Sequence, residues 1–168
     1  RLHARRYDTT NADLQCYFVR AQYGVGEKSA ALDATTELWV RPKSEPKACD
    51  PIFSVWRGTE RFSQDIVWQR FNGAMQAGER VLARYLQRYM TGARQTAAKA
   101  YNELARQPQR VSWRGAFSAD TMENRAAISY GIRRYARRDA QKAAVAWRTF
   151  RSSHAFSAAE RQLLDEHI

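Results

Sequence analysis

The sequence predicts an all-α protein, an α-superhelix or solenoid built of irregular helical hairpins. Three observations lead there. Apolar residues recur at steps of three and four almost throughout, no segment sustains two-residue alternation, and Gly or Pro interrupts the pattern at helix-length intervals. With 168 residues, 44% of them hydrophobic and 27% charged, and only eight Gly and four Pro, the composition is globular and the chain long enough to bury a core. Residues 1–168 are therefore read as a single helical-repeat segment.

Asn11 is an N-cap, and the helix over residues 12–23 sets Leu14, Tyr17, Phe18 and Ala21 on one face. Gly24 and Gly26 end it. A second helix over 27–40 carries the stripe Ala30, Ala31, Ala34 and Leu38, whose small side chains allow close helix approach, so the two form a hairpin. Pro42 and Pro46 then forbid a continuous helix across 41–47. Helices follow over 49–57, 64–77 and 79–90, broken at Gly58 and Gly78, and Gly92 closes the last. Strong helix formers fill 93–106 until Pro108 ends the run. The stretch around Trp113 is irregular. Further helices run from Ser118 to about 135 and over 137–150, and the capping box of Ser157 and Glu160 opens a final one. The total is nine or so helices.

Three hairpins, over 23–39, 75–90 and 135–150, share a rough pattern of aromatic or Met, short turn, acidic residue and an Ala- and Leu-rich second helix. Their starts are 52 and 60 residues apart, too unequal for a strict repeat but compatible with a degenerate stack of helix pairs. A plain helical bundle is the competing arrangement.

Lys and Arg total 28 against 17 Asp and Glu, a formal charge of +11 and a pI near 10.2. That balance implies an anionic partner: nucleic acid, an acidic membrane surface, or an acidic polymer such as murein. Arg80, Arg84 and Arg88 recur every fourth residue, and Arg133, Arg134, Arg137 and Arg138 form a denser cluster. Each set reads either as a contact surface for anionic groups or as a solvated helix face. No apolar run approaches the ~20 residues needed to span a bilayer, and the segment 1–6 lacks the apolar core of a signal peptide. The chain starts without Met inside a charged stretch, which a processed piece or a fragment of something longer would explain.

Of the five tryptophans, Trp39, Trp56, Trp68 and Trp147 fall on helices with apolar neighbours at three- and four-residue steps, where core packing competes with stacking on sugars or bases. Trp56 beside Arg57 and Trp147 beside Arg148 are the pairs most suggestive of ligand stacking. Trp113, in the irregular stretch, is the ring expected to be partly exposed.

Catalytic and metal signatures are missing. Ser152, Ser153 and His154 lack a strand-turn-helix setting and a spaced acid, Gly24 and Gly26 lack the third glycine of a nucleotide fingerprint, and the adjacent Asp165 and Glu166 project about 100° apart on a helix. His3, His154 and His167 have no ligand spacing. Cys16 and Cys49, the only cysteines, are either a disulfide or two buried thiols.

The runs Leu14-Gln15-Cys16-Tyr17, Glu37-Leu38-Trp39, Lys43-Ser44-Glu45-Pro46, Ala48-Cys49-Asp50 and Phe53-Ser54-Val55-Trp56 resemble the N-terminal all-helical superhelical region of the soluble lytic murein transglycosylases. The similarity is densest from Leu14 to Met90 and thins to scattered agreement such as Ala136-Arg137-Arg138-Asp139-Ala140. It implies a disulfide between Cys16 and Cys49 in an oxidising periplasm. It also implies a scaffold role on peptidoglycan beside a separate lysozyme-like catalytic domain. That domain cuts between N-acetylmuramic acid and N-acetylglucosamine, leaving 1,6-anhydro ends without cofactor or metal. Ala100-Tyr101-Asn102 matches three letters of a catalytic-domain motif, but Glu103-Leu104 follows where the family has Ala-Gly, and the family's Glu-Ser and Gly-Leu-Met-Gln motifs are absent. The resemblance implies that this stretch does not itself cleave glycan. A basic α-solenoid binding nucleic acid and a protein-interaction repeat module are the alternatives, and neither accounts for the cysteine-centred similarity.

Overall fold

A computed structural model describes residues 10–168, apart from the Arg114 side chain. His3 and the segment 1–6 lie outside the described residues. Among the described residues there are nine α-helices and no strand. The chain divides into two compact units, one ending at Arg70 and one running from Phe71 to Ile168.

In the first unit, Asn11 caps α1 (Ala12–Gly24) by accepting the Leu14 N–H at 3.2 Å. Gly26, at φ 97°, makes the turn into α2 (Lys28–Trp39), a left-handed conformation that a Cβ would strain. A 3-10 turn over Lys47–Cys49 leads directly into α3 (Asp50–Arg57), where Pro51 occupies the first turn and its missing N–H leaves no intrahelical bond unmade. α4 spans Gln64–Ala77. Trp39, Trp56 and Phe62 pack mutually, with ring centroids 5.0–5.6 Å apart, and the Trp56 Nε1–H donates to Thr36 Oγ1 at 2.8 Å. The indole thus enters the core with its one polar atom satisfied.

Which faces are buried differs from the sequence expectation. On α1 the buried residues are Cys16 and Val19, while Leu14, Tyr17, Phe18 and Ala21 are exposed. On α2 the buried stripe is Ala31, Leu32, Thr35, Leu38 and Trp39, which keeps Ala31 and Leu38 of the expected stripe and leaves Ala30 exposed and Ala34 half-buried. The cause is the cross-link described below, which turns the Cys16 side of α1 inward.

The second unit contains α5 (Arg80–Leu86), a 3-10 turn over Gln87–Tyr89, α6 (Gly92–Leu104), 3-10 turns over Pro108–Ser112 and Arg114–Phe117, α7 (Met122–Ala136), α8 (Ala140–Ser153) and α9 (Ala158–Asp165). Three boundaries shift from expectation, two of them because side-chain caps select them. Gly92 opens α6 instead of closing α5, Thr121 caps α7 through the Asn124 N–H, and Asp139 caps α8 through the Lys142 N–H. The capping box of Ser157 and Glu160 opens α9 as expected, with both reciprocal bonds formed.

α7 is the central element of this unit, packed against α6, α8, α9 and the Pro108–Ser112 turn. Its close approach depends on Gly131. A Cβ there would lie 2.9 Å from Leu104 Cδ1 and 3.0 Å from Val111. Beside it a polar chain runs inward from the surface, from Arg133 to the exposed Gln76 at Oε1 (2.7 Å), from Gln76 Nε2 to the buried Tyr101 hydroxyl (2.9 Å), and from that hydroxyl to Asn72 Oδ1 (2.9 Å). Burial holds the Tyr101 phenol well above its ordinary range, and the neighbouring Tyr130 adds to the effect. The hydroxyl therefore stays protonated and can donate to Asn72.

Gly131→Ala inserts a methyl into an occupied interface rather than into a turn. It is expected to lower the unfolding free energy of the chain by about 1–3 kcal/mol, read from urea titration by circular dichroism.

Candidate functional site

Cys16 on α1 and Cys49 at the entry of α3 are joined by a disulfide across 33 residues, with Cα atoms 4.9 Å apart and both residues fully buried. The bond closes a covalent loop around α2 and the Pro42–Pro46 segment. In the chain-entropy picture a loop of this length stabilises the folded state by about 3–4 kcal/mol.

Inside that loop sits a carboxylate that sequence reasoning passed over. The Glu45 side chain is 1% exposed, and neither of its oxygens has a hydrogen-bond partner among the described residues. Arg41 Nη1 stands 3.9 Å from Oε1 but donates its hydrogen bond to Gln15 Oε1 at 2.7 Å. Arg70 donates to the Lys43 carbonyl at 2.9 Å and lies over the Trp39 ring, 4.7 Å from its centroid. Burial pushes the Glu45 carboxyl above the usual carboxylate range, against the opposing pull of Arg41, Lys43 and Arg70. Only its position between two prolines could have hinted at enclosure.

The arginines singled out in the sequence separate into two groups. Arg80, Arg84 and Arg88 are exposed, with Arg80 and Arg84 on α5 and Arg88 on the 3-10 turn that follows, so the four-residue ladder does not run along one continuous helix. Arg88 covers the Tyr85 ring at 4.3 Å, and the Tyr85 and Tyr89 hydroxyls are 2.6 Å apart. Val81 and Tyr85 are exposed too, because α5 buries Leu82, Ala83 and Leu86. Arg137 and Arg138 are exposed at the C-terminal end of α7. Arg133 and Arg134 are half-buried: Arg133 feeds the Gln76 chain, and Arg134 donates to the Ala105 carbonyl at 3.1 Å and lies over Tyr130. Structure thus brings Cys16 and Cys49 together and leaves the basic residues as separate patches.

The tryptophans sort sharply. Trp39, Trp56, Trp68 and Trp147 are buried, so the Trp56 and Trp147 rings cannot stack on a ligand, whereas Trp113 is 57% exposed. His154 is buried, its ring nitrogens engaged with Ser153 and with the Phe117 carbonyl at 3.0 Å, so its imidazole belongs to the packing, while Ser152 and Ser153 are exposed. Asp165 accepts from the Trp147 indole at 2.7 Å and from Arg151 at 3.2 Å, which holds its carboxyl below the usual range. Tyr101 and Asn102 lie within α6, the former buried, as elements of packing. Among the described residues no cluster of three or more His, Cys, Asp or Glu could hold a metal ion, and no helix is long and apolar enough to cross a membrane.

Among the described residues the chain is thus all-helical, with a disulfide-braced first unit and exposed arginines. No family model matches the chain. The soluble lytic murein transglycosylase of Escherichia coli strain K12 is 34% identical over 137 residues, covering 80% of this chain, and that of Salmonella typhimurium is 33% identical over 135 residues. The chain spans about a fifth of the length of these curated relatives, 21%. Among solved structures, an inactive variant of the Pseudomonas aeruginosa lytic transglycosylase Slt superposes with a TM-score of 0.81 at 27% identity, over 94% of this chain and 25% of that one. The 70 kDa soluble lytic transglycosylase of E. coli gives 0.76 at 28% identity over the same shares, and 0.77 in its complex with bulgecin A. By sequence and by fold this chain is homologous to part of the soluble lytic murein transglycosylases.

Two outcomes follow from the first unit. Intact mass without reductant should be two hydrogens lighter than after reduction, and reduction with alkylation should lower the unfolding free energy by about 3–4 kcal/mol; two freely alkylating thiols would refute the cross-link. Burial raises the folded Glu45 carboxyl above its unfolded value, so its contribution is whole below the unfolded Glu value of about 4.3 and is lost as pH rises through the raised folded value. Glu45→Gln should therefore raise Tm at pH 7–8, with the gain over wild type vanishing at acid pH. An equal Tm for the two proteins at pH 8 would contradict the buried-charge account.

Proposed function

We propose that this chain is a non-catalytic helical scaffold segment of a soluble lytic transglycosylase and works on peptidoglycan in the periplasm. The observation that carries the reading is the concurrence of 34% identity over 80% of the chain with a TM-score of 0.81 to a lytic transglycosylase. Residues 1–168 act as one helical-repeat segment of a larger superhelical domain. The parent protein's catalytic domain cleaves between N-acetylmuramic acid and N-acetylglucosamine and leaves 1,6-anhydro ends. No cofactor enters that scheme.

What the segment contributes is a cationic surface. Murein bears peptide carboxylates, and a net charge of +11 draws such a polymer to the exposed residues Arg80, Arg84, Arg88, Arg137 and Arg138. Arg133 and Arg134 lie half-buried with their guanidinium groups engaged by Gln76 and by the Ala105 carbonyl, which leaves them less free for such a polymer. The Cys16–Cys49 bridge suits an oxidising compartment.

Exposed charge of this kind is screened over about 10 Å at 0.1 M salt. The chain should sediment with purified murein sacculi at low ionic strength and be released at high, and Arg84→Ala with Arg88→Ala should weaken binding by roughly threefold. Absence of sedimentation at low salt would count against the role. Tighter, salt-dependent binding to oligonucleotides than to sacculi would favour the nucleic-acid alternative.

A further inference from the structure

We infer that the segment 41–47 is a pH-sensitive strap: Arg41 ties it to α1 while Glu45 is neutral, and ionisation of Glu45 draws Arg41 off that tie. The device lies within the first unit and does not depend on the peptidoglycan reading.

The segment leaves α2 at Val40 and reaches the 3-10 turn at Lys47, with Pro42 and Pro46 fixing φ at two of its positions. Proline has no backbone N–H to donate, so side chains fasten the segment to its neighbours. Arg41 Nη1 donates to Gln15 Oε1 on α1 at 2.7 Å, and the Lys43 carbonyl accepts from Arg70 on α4 at 2.9 Å. Glu45 is enclosed beneath this strap, its side chain 1% exposed and neither oxygen hydrogen-bonded among the described residues. A neutral carboxyl is tolerated in such a place. An ionised one, with no water and no donor at hand, is far more costly to bury.

The charged groups that face Glu45 are Arg41 and Lys43 of its own segment and Arg70 of α4. Lys43 is exposed, and Arg70 is engaged by the Lys43 carbonyl and lies over the Trp39 ring, 4.7 Å from its centroid. Arg41 Nη1 already stands 3.9 Å from Glu45 Oε1. A shift of about 1 Å brings it to the roughly 2.7–2.9 Å of a charge-assisted bond. One guanidinium nitrogen thus sits between two acceptors on different parts of the fold, a carboxamide that is always neutral and an acid whose charge depends on pH. Opposite charges shielded from water attract more strongly than a cation and a neutral dipole, so ionisation tips Arg41 toward Glu45.

Burial sets the direction of the switch. It keeps the Glu45 carboxyl neutral above the usual carboxylate range, so the strap is latched at acid pH and its tie to α1 gives way as pH climbs through that raised value. Arg41 bonded to Gln15, with no hydrogen bond on Glu45, is the latched form.

The test follows two side chains of the 13C,15N-labelled chain from about pH 4 to about pH 8. The Glu45 carboxyl carbon, identified by its loss in Glu45→Gln, should titrate with a midpoint above the ordinary value of about 4.3. The Gln15 side-chain amide, identified by its loss in Gln15→Ala, should shift with the same midpoint. In Glu45→Gln and, independently, in Arg41→Met, that shift of the Gln15 amide should be lost. A Gln15 amide that stays still while Glu45 titrates overturns the strap, because Glu45 then ionises without moving Arg41. A Gln15 amide that keeps the wild-type midpoint in either variant overturns it as well, and so does a Glu45 carboxyl that never titrates across the range.

Discussion

None of the nine α-helices described here exceeds the 15 residues of α7, and isolated helices of that length are marginal in water however good their propensities. Each must therefore be held by what it buries, and every other feature answers to that requirement. In the first unit the need is met by the mutual packing of Trp39, Trp56 and Phe62 and by a covalent tie between α1 and the start of α3. In the second it is met by α7, which reaches its partners because Gly131 leaves room for Leu104 and Val111. Aromatic area and one missing side chain achieve what helix length cannot.

The arginine excess is not spread evenly over a surface. Arg61 pairs with Asp33 at 2.8 Å, Arg94 with Glu123 at 2.8 Å and Arg151 with Asp165 at 3.2 Å, and Arg133 and Arg134 bind internal acceptors. Such residues act as cross-links between elements, using planar guanidinium groups that reach two acceptors or lie on a ring. Those on α5, on its following turn and beyond the end of α7 face solvent. A single net charge thus conceals two uses of one residue type, and only the second bears on an anionic polymer.

Relatedness to lytic transglycosylases fits this division of labour. The scaffold role proposed above asks for stable packing within each unit and an outer face adapted to a polymer. The perturbed groups follow that logic. Tyr101 is shifted by burial within packing, Asp165 by the indole and guanidinium it accepts from, and Glu45 by enclosure under a proline-bounded loop. None of the three faces another acid across a cleft.

Helix positions were legible in the sequence because they are local. Asn11 and Ser157 announce helix starts with side chains that satisfy N–H groups three residues on, and Pro42 and Pro46 exclude a helix through chemistry carried by the residues themselves. Position 64–77 was read to the residue, and the exposure of Trp113 followed from the irregular stretch around it. Faces were another matter. Leu14, Tyr17 and Phe18 form as good an apolar stripe as Cys16 and Val19, and hydrophobic spacing cannot choose between two stripes on one helix. The choice came from a partner 33 residues away, whose sulfur draws the Cys16 side inward. The enclosure of Glu45 and the diversion of Arg133 into the Gln76–Tyr101 chain have the same origin. Burial and hydrogen bonding are set by neighbours distant in sequence, so the chain by itself determined which stretches are helical and, to within a few residues, where they lie, and the tertiary structure decided what each of them hides.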